Sequence, residues 1–413
     1  MASVAQVAHP ADSLAGDQTN SALRPAPQQP DIEYRFDEDK YKARTARRLA
    51  EDPELLNSPL PEGFPQQVES SLVWEGKDFK DEKEWVYELN AEQLKEIDDA
   101  VKHFHSLGKS LGWVSPSTFP LPQLGPVLRG LSYELHNGRG FFVIRAIPVD
   151  NYSREENALV YAGVSSYIGE LRGVQDRKKN GVLTHVKDLT SAHSTSVIGS
   201  PAYTTEKQVF HTDKGDIVAL FALDVAAYGG TSRISSSWRA YNELAATRPD
   251  LVRTLSEPWP FEEFGGNPAY TERPILSYHN NRIIVQYARR YFTGYLGLPR
   301  SPNIPPISEA QAEALDTLHF LGEKFNLGLN FQKGDIQYIN NLGVFHARDG
   351  FTDSPEHTRH LLRLWLRNEE LAWKLPRQFR PIWQKLYYSL TPEEQQFPIE
   401  PFIRDESKGS EAK

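Results

Sequence analysis

The stretch GDIQYINNLGVFHARDGFTDSPEHTRHLLRLWLR, residues 334–367, decides how the chain is read. An apolar run, Ile336–Ile339, leads through a polar turn to His346, and a second run follows at 360–367. Side chains alternate across an extended segment, so Leu362, Leu364 and Leu366 share one face while Leu361, Arg363 and Trp365 share the other. A guanidinium set among apolar neighbours is costly to bury unless it meets an anion. Taken alone, Arg363 reads most simply as half of a structural ion pair.

Similar short β-runs occur upstream: Phe141–Arg145, residues 216–223, and 275–278 with 282–287, the last two joined by the turn residues Asn280 and Asn281. Helical spacing appears between them. Leu94, Ile97, Val101 and Phe104 predict a helix over 91–111. Ser153 with Glu156, and Ser308 with Gln311, have capping-box spacing and open two more, the second carrying Leu315, Leu318, Leu321 and Phe325. The strands do not alternate regularly with helices. The expected fold is therefore mainly β with flanking helices, a sandwich or jelly roll.

Around that core, a catalytic domain is expected over 135–370, preceded by an extended arm and helix over 31–134 and followed by a helical extension over 371–403. Residues 1–30 and 404–413 are poor in large apolar groups and read as disordered tails.

Composition narrows the chemistry. The 413 residues include no cysteine, and Met1 is the one methionine. Disulfides, zinc–thiolate sites, Cys-ligated clusters and thiol nucleophiles are excluded, so any metal must be held by nitrogen and oxygen. A formal net charge of −9 argues against a nucleic-acid partner. No run of 18 apolar residues exists, and MASVAQVAHPADSLAGDQ lacks the basic and apolar regions of a secretory signal. The expected setting is cytoplasmic, with no membrane and a small-molecule substrate.

The sharpest local feature is His211-Thr212-Asp213. Residues two apart in an extended segment point the same way, bringing imidazole and carboxylate together. A second histidine, best supplied by His346, completes the two-His, one-carboxylate face that holds Fe(II) in oxygenases. An HxD triplet by itself is a weak signal.

In combination, His211–Asp213, Gly229-Gly230-Thr231-Ser232, GDIQYINNLGVFHAR and HLLRLWL resemble the taurine dioxygenase (TauD/TfdA) family over roughly 135–370, and WKLPRQFRPIWQKLY resembles its fungal members. The resemblance implies a double-stranded β-helix, or cupin-like jelly roll, and an Fe(II)- and 2-oxoglutarate-dependent dioxygenase. Such an enzyme uses O2 to oxidise a C–H bond of a small molecule, here a carboxylate or amino-acid-derived metabolite in a secondary-metabolism setting. The outcome is hydroxylation, or desaturation or ring closure, with release of succinate and CO2. It further implies His211, Asp213 and His346 as iron ligands. Arg363 matches the arginine gripping the distal carboxylate of 2-oxoglutarate, Arg359 a second arginine on the same strand, and Ser232, or Thr231 one place away, the hydroxyl contact to that cosubstrate. The sequence is silent on oligomeric state; many relatives assemble, which leaves a homo-oligomer open.

Two departures stand out. The His346–Arg363 interval is about two residues longer than in the bacterial taurine-cleaving members, and Thr205–Gln208 lacks their amide-rich pattern. That puts taurine itself in doubt and leaves Lys207, Gln208 and Lys214 as candidate substrate contacts. Competing signals carry less. Gly108–Gly112 fits G-x-S-x-G, but a Ser110 hydrolase needs a strand–turn–helix setting, and this segment ends an amphipathic helix. A non-catalytic jelly roll binding a metal or small acid would need the same Arg and histidines; the complete ligand set favours the enzyme. His103 and His105 read as surface groups. His357 with His360, and His185 with Asp188, have spacings that a strand would split.

Overall fold

The computed structural model describes residues 28–408. Two sheets face each other. The major sheet runs in the order Val86–Glu88, Phe141–Arg145, Ile336–Asn340, Ile217–Asp224, His360–Arg367, with Leu171–Arg172 and Thr184–Lys187 both pairing with the last. The minor sheet runs Leu327–Leu329, Ser232–Ser236, Val344–Arg348, Gln208–His211. The chain passes from one sheet to the other at Gln208–His211 to Ile217–Asp224 to Ser232–Ser236, and again at Ile336–Asn340 to Val344–Arg348 to His360–Arg367. This alternation makes the double-stranded β-helix expected from the sequence, with every pairing antiparallel except that of the Val86–Glu88 edge.

The strand HLLRLWLR uses both its faces as alternation requires. Leu362, Leu364 and Leu366 join the apolar layer under the helices Ala91–Ser106, Leu124–Asn137 and Arg154–Ser165. Leu361, Arg363 and Trp365 belong to the opposite face, between the sheets. Both capping boxes form, with Ser153 Oγ accepting from Glu156 N and Ser308 Oγ from Gln311 N. The hairpin turn at Asn280 and Asn281 takes φ of 49° and 58°, the left-handed values a tight turn needs.

The extended arm expected ahead of the 91–111 helix contains a helix of its own, Glu38–Glu51. Its buried side is not apolar. Arg44 bonds Asp316 at 2.6 Å, and Arg48 pairs with Glu313, on the Glu309–Phe325 helix. Charge pairing replaces the hydrophobic stripe, so no apolar period marks the helix. The expected tails fall partly outside the described residues, at 1–27 and 409–413. Inside them the tail reading fails: Gln29 Nε2 donates to Phe292 O, and Arg404 and Ser407 are buried. Among the described residues, no helix is long and apolar enough to cross a membrane.

Candidate metal centre

His211 ends the Gln208–His211 strand and lies directly across from His346 on the neighbouring strand. The chain then leaves the sheet, and its backbone is clamped. Thr212 N donates to Tyr287 O, Asp213 N donates to Asn341 Oδ1 at 2.8 Å, and Asn341 Nδ2 returns to Asp213 O and Gly215 O. This clamp swings the Asp213 carboxylate toward the two imidazoles. One ligand atom from each of His211, Asp213 and His346 lies within 4.8 Å of the others. Each imidazole Nε2 is 3.9 Å from a carboxylate oxygen, and the rings are 4.1 Å apart.

The electrostatics suit a cation. Burial pushes both imidazoles below their ordinary range, His346 furthest because His211 adds repulsion. Burial alone raises the Asp213 carboxyl, but Arg363 and then the imidazoles more than reverse it, keeping the carboxylate ionised. His211 Nδ1 faces Val209 O at 2.9 Å, which fixes the proton there and turns the Nε2 lone pair to the centre. Asp213 Oδ2 accepts from Arg363 Nη1 at 2.7 Å and Trp365 Nε1 at 3.0 Å.

The other sequence candidates divide. Gln208 Nε2 donates to His211 Nε2 at 3.0 Å, and Lys214 lines the same cavity. Lys207 does not reach it: its ammonium pairs with Glu323 at 2.6 Å and lines a separate cleft with Phe36. The two arginines, both matched to 2-oxoglutarate by the resemblance, lie at different places. Arg363 is bound beside the triad, to Asp213 and to Gln175 Oε1. Arg359 is the one near the double glycine, its Nε 3.2 Å from where a Gly230 Cβ would stand, in a cleft shared with Thr231. Ser232, in register with Arg348, donates to Gln337 Oε1 at 2.7 Å. Ser110 caps a short 3-10 turn after a helix, not a strand-to-helix elbow, so the hydrolase setting is absent. His357 and Asp188 join no metal cluster among the described residues; His185 instead meets His360 at 2.7 Å.

Sequence reasoning missed Arg348 and Gln337. Arg348 was legible, since it sits two residues beyond His346 on one strand and so shares its face. Its guanidinium and that of Arg359 lie over one ring, Phe351, at 4.7 and 5.4 Å. Neither makes an ion pair among the described residues. Arg348 Nε, Arg359 Nη1 and Gln337 Nε2 are all buried without a hydrogen-bond partner. Burial and the neighbouring Arg348 press Arg359 down to about 9. Three unmet donors and two guanidiniums without an ion pair among the described residues give this slot the chemistry that suits an anion.

A family model described as "Taurine catabolism dioxygenase TauD, TfdA family" matches residues 101–365. The chain is 38% identical over 317 residues to the taurine hydroxylase-like protein SAT17 of Stachybotrys chartarum, covering 75% of this chain and 82% of that one. It is 25% identical over 324 residues to FR-33289 synthase of Streptomyces rubellomurinus, covering 75% and 93%. Among solved structures, asparagine oxygenase with Fe(II), 3-hydroxyasparagine and succinate superposes with a TM-score of 0.53 at 14% identity, over 68% of this chain and 93% of that one. The non-heme iron oxygenase OrfP with Fe, succinate and (3S)-hydroxy-L-Arg gives 0.53 at 13%, over 75% and 99%. At these identities the structures show the shared fold.

Proposed function

The chain belongs to the TauD/TfdA family and is an Fe(II)- and 2-oxoglutarate-dependent dioxygenase, and we propose that it oxidises a C–H bond of a small carboxylate or amino-acid-derived metabolite through His211, Asp213 and His346. The observation that carries this reading is the convergence of those three side chains within 4.8 Å in a buried setting. The donor set fits the metal: two neutral imidazoles and an ionised carboxylate on one side, with a cavity on the other. When bound, iron with 2-oxoglutarate and O2 supplies the oxidising power that breaks the C–H bond, with release of succinate and CO2.

The protein's residues do the positioning. Val209 O orients His211, and Arg363 with Trp365 holds Asp213 Oδ2, so the carboxylate is fixed in the orientation in which it would hold iron with the two imidazoles. Arg359, Arg348 and Gln337 receive the remote carboxylate of 2-oxoglutarate, which satisfies the donors left unmet there, while the Ser232 hydroxyl, donating to Gln337 Oε1, turns that amide toward it. The bond from Arg363 to Asp213 supports a place for Arg363 at the metal end. The cavity lies directly before the triad, with His211, Asp213 and Arg363 in its wall. Lys214, Arg290, Lys385 and Arg404 give it a positive lining inside an acidic protein, which favours an acidic substrate.

Anaerobic addition of Fe(II) and 2-oxoglutarate tests the reading directly. A metal-to-2-oxoglutarate charge-transfer band is expected in the wild type and not in His211→Ala. Equal succinate release by His211→Ala, Asp213→Ala and the wild type overturns it.

A further inference from the structure

The cavity in front of the triad is closed by a segment beyond the family match, residues 404–408. Asp405 N donates to Asp176 Oδ2, Gly199 N donates to Ser407 O at 2.8 Å, and Lys408 bridges Ile198. These bonds fasten the segment so that Arg404 and Glu406 both line the cavity with His211 and Asp213.

Arg404 is 7% exposed. Its Nε donates to the Tyr203 hydroxyl, Nη1 to Gln175 O and Nη2 to Ser407 Oγ, which uses three of the five N–H groups of a guanidinium. It forms no ion pair among the described residues. Trp365, whose indole donates to Asp213, has Arg363 5.0 Å and Arg404 5.7 Å from its ring centre. Asp213 is already shared by Arg363 and the two imidazoles, so the carboxylate that answers Arg404 most is Glu406 on its own segment, at a distance longer than an ion pair.

Glu406 carries the opposite demand. Its Oε1 accepts from Arg177 N at 3.4 Å, while Oε2 is buried with no hydrogen-bond partner. Besides Asp213, it is the one carboxylate among the described residues lining the cavity. A substrate with acid groups alone would meet Arg404 but bring like charge to Glu406 and leave Oε2 unmet. A substrate with an acid group and an ammonium answers both.

We propose that Arg404 and Glu406 are a specificity pair that recognises a zwitterionic primary substrate, the acid group held at Arg404 beside Arg363 and the free ammonium at Glu406. The inference rests on the dioxygenase reading of the same site. The substrate class is an amino acid or its sulfonate or phosphonate counterpart, and these share the chemistry that the pair reads.

The test uses the full-length enzyme with Fe(II) and 2-oxoglutarate under anaerobic conditions. Probes come in matched pairs: L-α-aminobutyrate and butyrate, taurine and ethanesulfonate, 2-aminoethylphosphonate and ethylphosphonate. Dissociation constants are read from the shift of the charge-transfer band. In at least one pair the amine-bearing acid binds tighter by roughly tenfold or more, the scale of a hydrogen bond to a charged group, and the tightest pair identifies the acid group. Glu406→Gln collapses that ratio toward one. Arg404→Gln weakens both members, and Arg404→Lys recovers part of the loss. Ser407→Ala loosens the segment while keeping both charges, and weakens both members by one factor.

The proposal is overturned if the amine-free acids bind as well, if no pair binds, or if Glu406→Gln lowers both members equally, as Ser407→Ala does. A wild type with no charge-transfer band before any probe is added is a different failure, that of the dioxygenase reading itself.

Discussion

Arg363 donates to Asp213 Oδ2 across 2.7 Å, joining residues 150 apart in sequence. The contact couples the return strand of the major sheet to the turn that carries the carboxylate. It also separates the roles of two arginines that lie four positions apart. Arg363 lies within the His360–Arg367 strand and ends at the triad, whereas Arg359 directly precedes that strand and ends at the double-glycine turn.

Removing a triad side chain takes away a ligand, so His346→Ala and Asp213→Ala should lower succinate release by more than the roughly 10–100-fold typical of outer partners to a metal site. Trp365→Phe, which removes one donor to Asp213, should fall inside that range. Rates measured with saturating Fe(II) check the ordering.

The two arginines should give different kinetic signatures. Arg359→Ala raises the KM for 2-oxoglutarate by roughly 10–100-fold, as expected for a charge-assisted bond in a buried slot. Arg363→Ala chiefly weakens Fe(II) binding. Titration of Fe(II) and of 2-oxoglutarate against each variant separates the two; an unchanged 2-oxoglutarate affinity in Arg359→Ala counts against the slot.

His319 is almost fully buried, accepts from Phe210 N, and burial pushes its imidazole down to about 3. The unfolded chain, with an ordinary imidazole, binds more protons between pH 6.5 and 3. Stability is therefore full above about pH 6.5 and falls as pH drops through that window, with a slope of up to about 1.4 kcal/mol per pH unit. Urea unfolding at several pH values should show a shallower loss in His319→Gln than in the wild type.

Arg44→Ala should destabilise the fold by about 3 kcal/mol, because it strips a partner from buried Asp316. Arg289 remains 2.7 Å from that carboxylate and sets the lower end of the effect. Urea midpoints measure it.

Gly322 sits where the Glu309–Phe325 helix crosses behind the strand bearing His211. A Cβ there would stand 2.7 Å from Phe210 Cγ. Gly322→Ala should cost about 1–3 kcal/mol by overpacking and should loosen Fe(II) binding, since Phe210 directly precedes His211. A stability loss with Fe(II) affinity unchanged would show that Phe210 yields away from the site.

Much of the strand layout was legible because alternation is a local property. Phe141–Arg145 and the faces of HLLRLWLR follow from side-chain geometry along one segment. The Glu38–Glu51 helix was hidden because arginines pairing with Asp316 and Glu313 replace its apolar stripe. The tail reading of 404–408 failed for a related reason: polar composition does not reveal that Arg404 and Ser407 bond to distant backbone and hydroxyl groups.

The sequence by itself determined the ligand types and their order. With no cysteine to hold a metal, His211, Asp213 and His346 were the set that strand spacing and family resemblance could single out. Only the tertiary structure decided which arginine lies beside Asp213, that Arg404 and Glu406 line the cavity with it, and that Arg348 and Gln337 are buried with unmet donors. The reason is physical: alternation fixes which face a side chain takes, but its partner depends on which distant segment folds against that face.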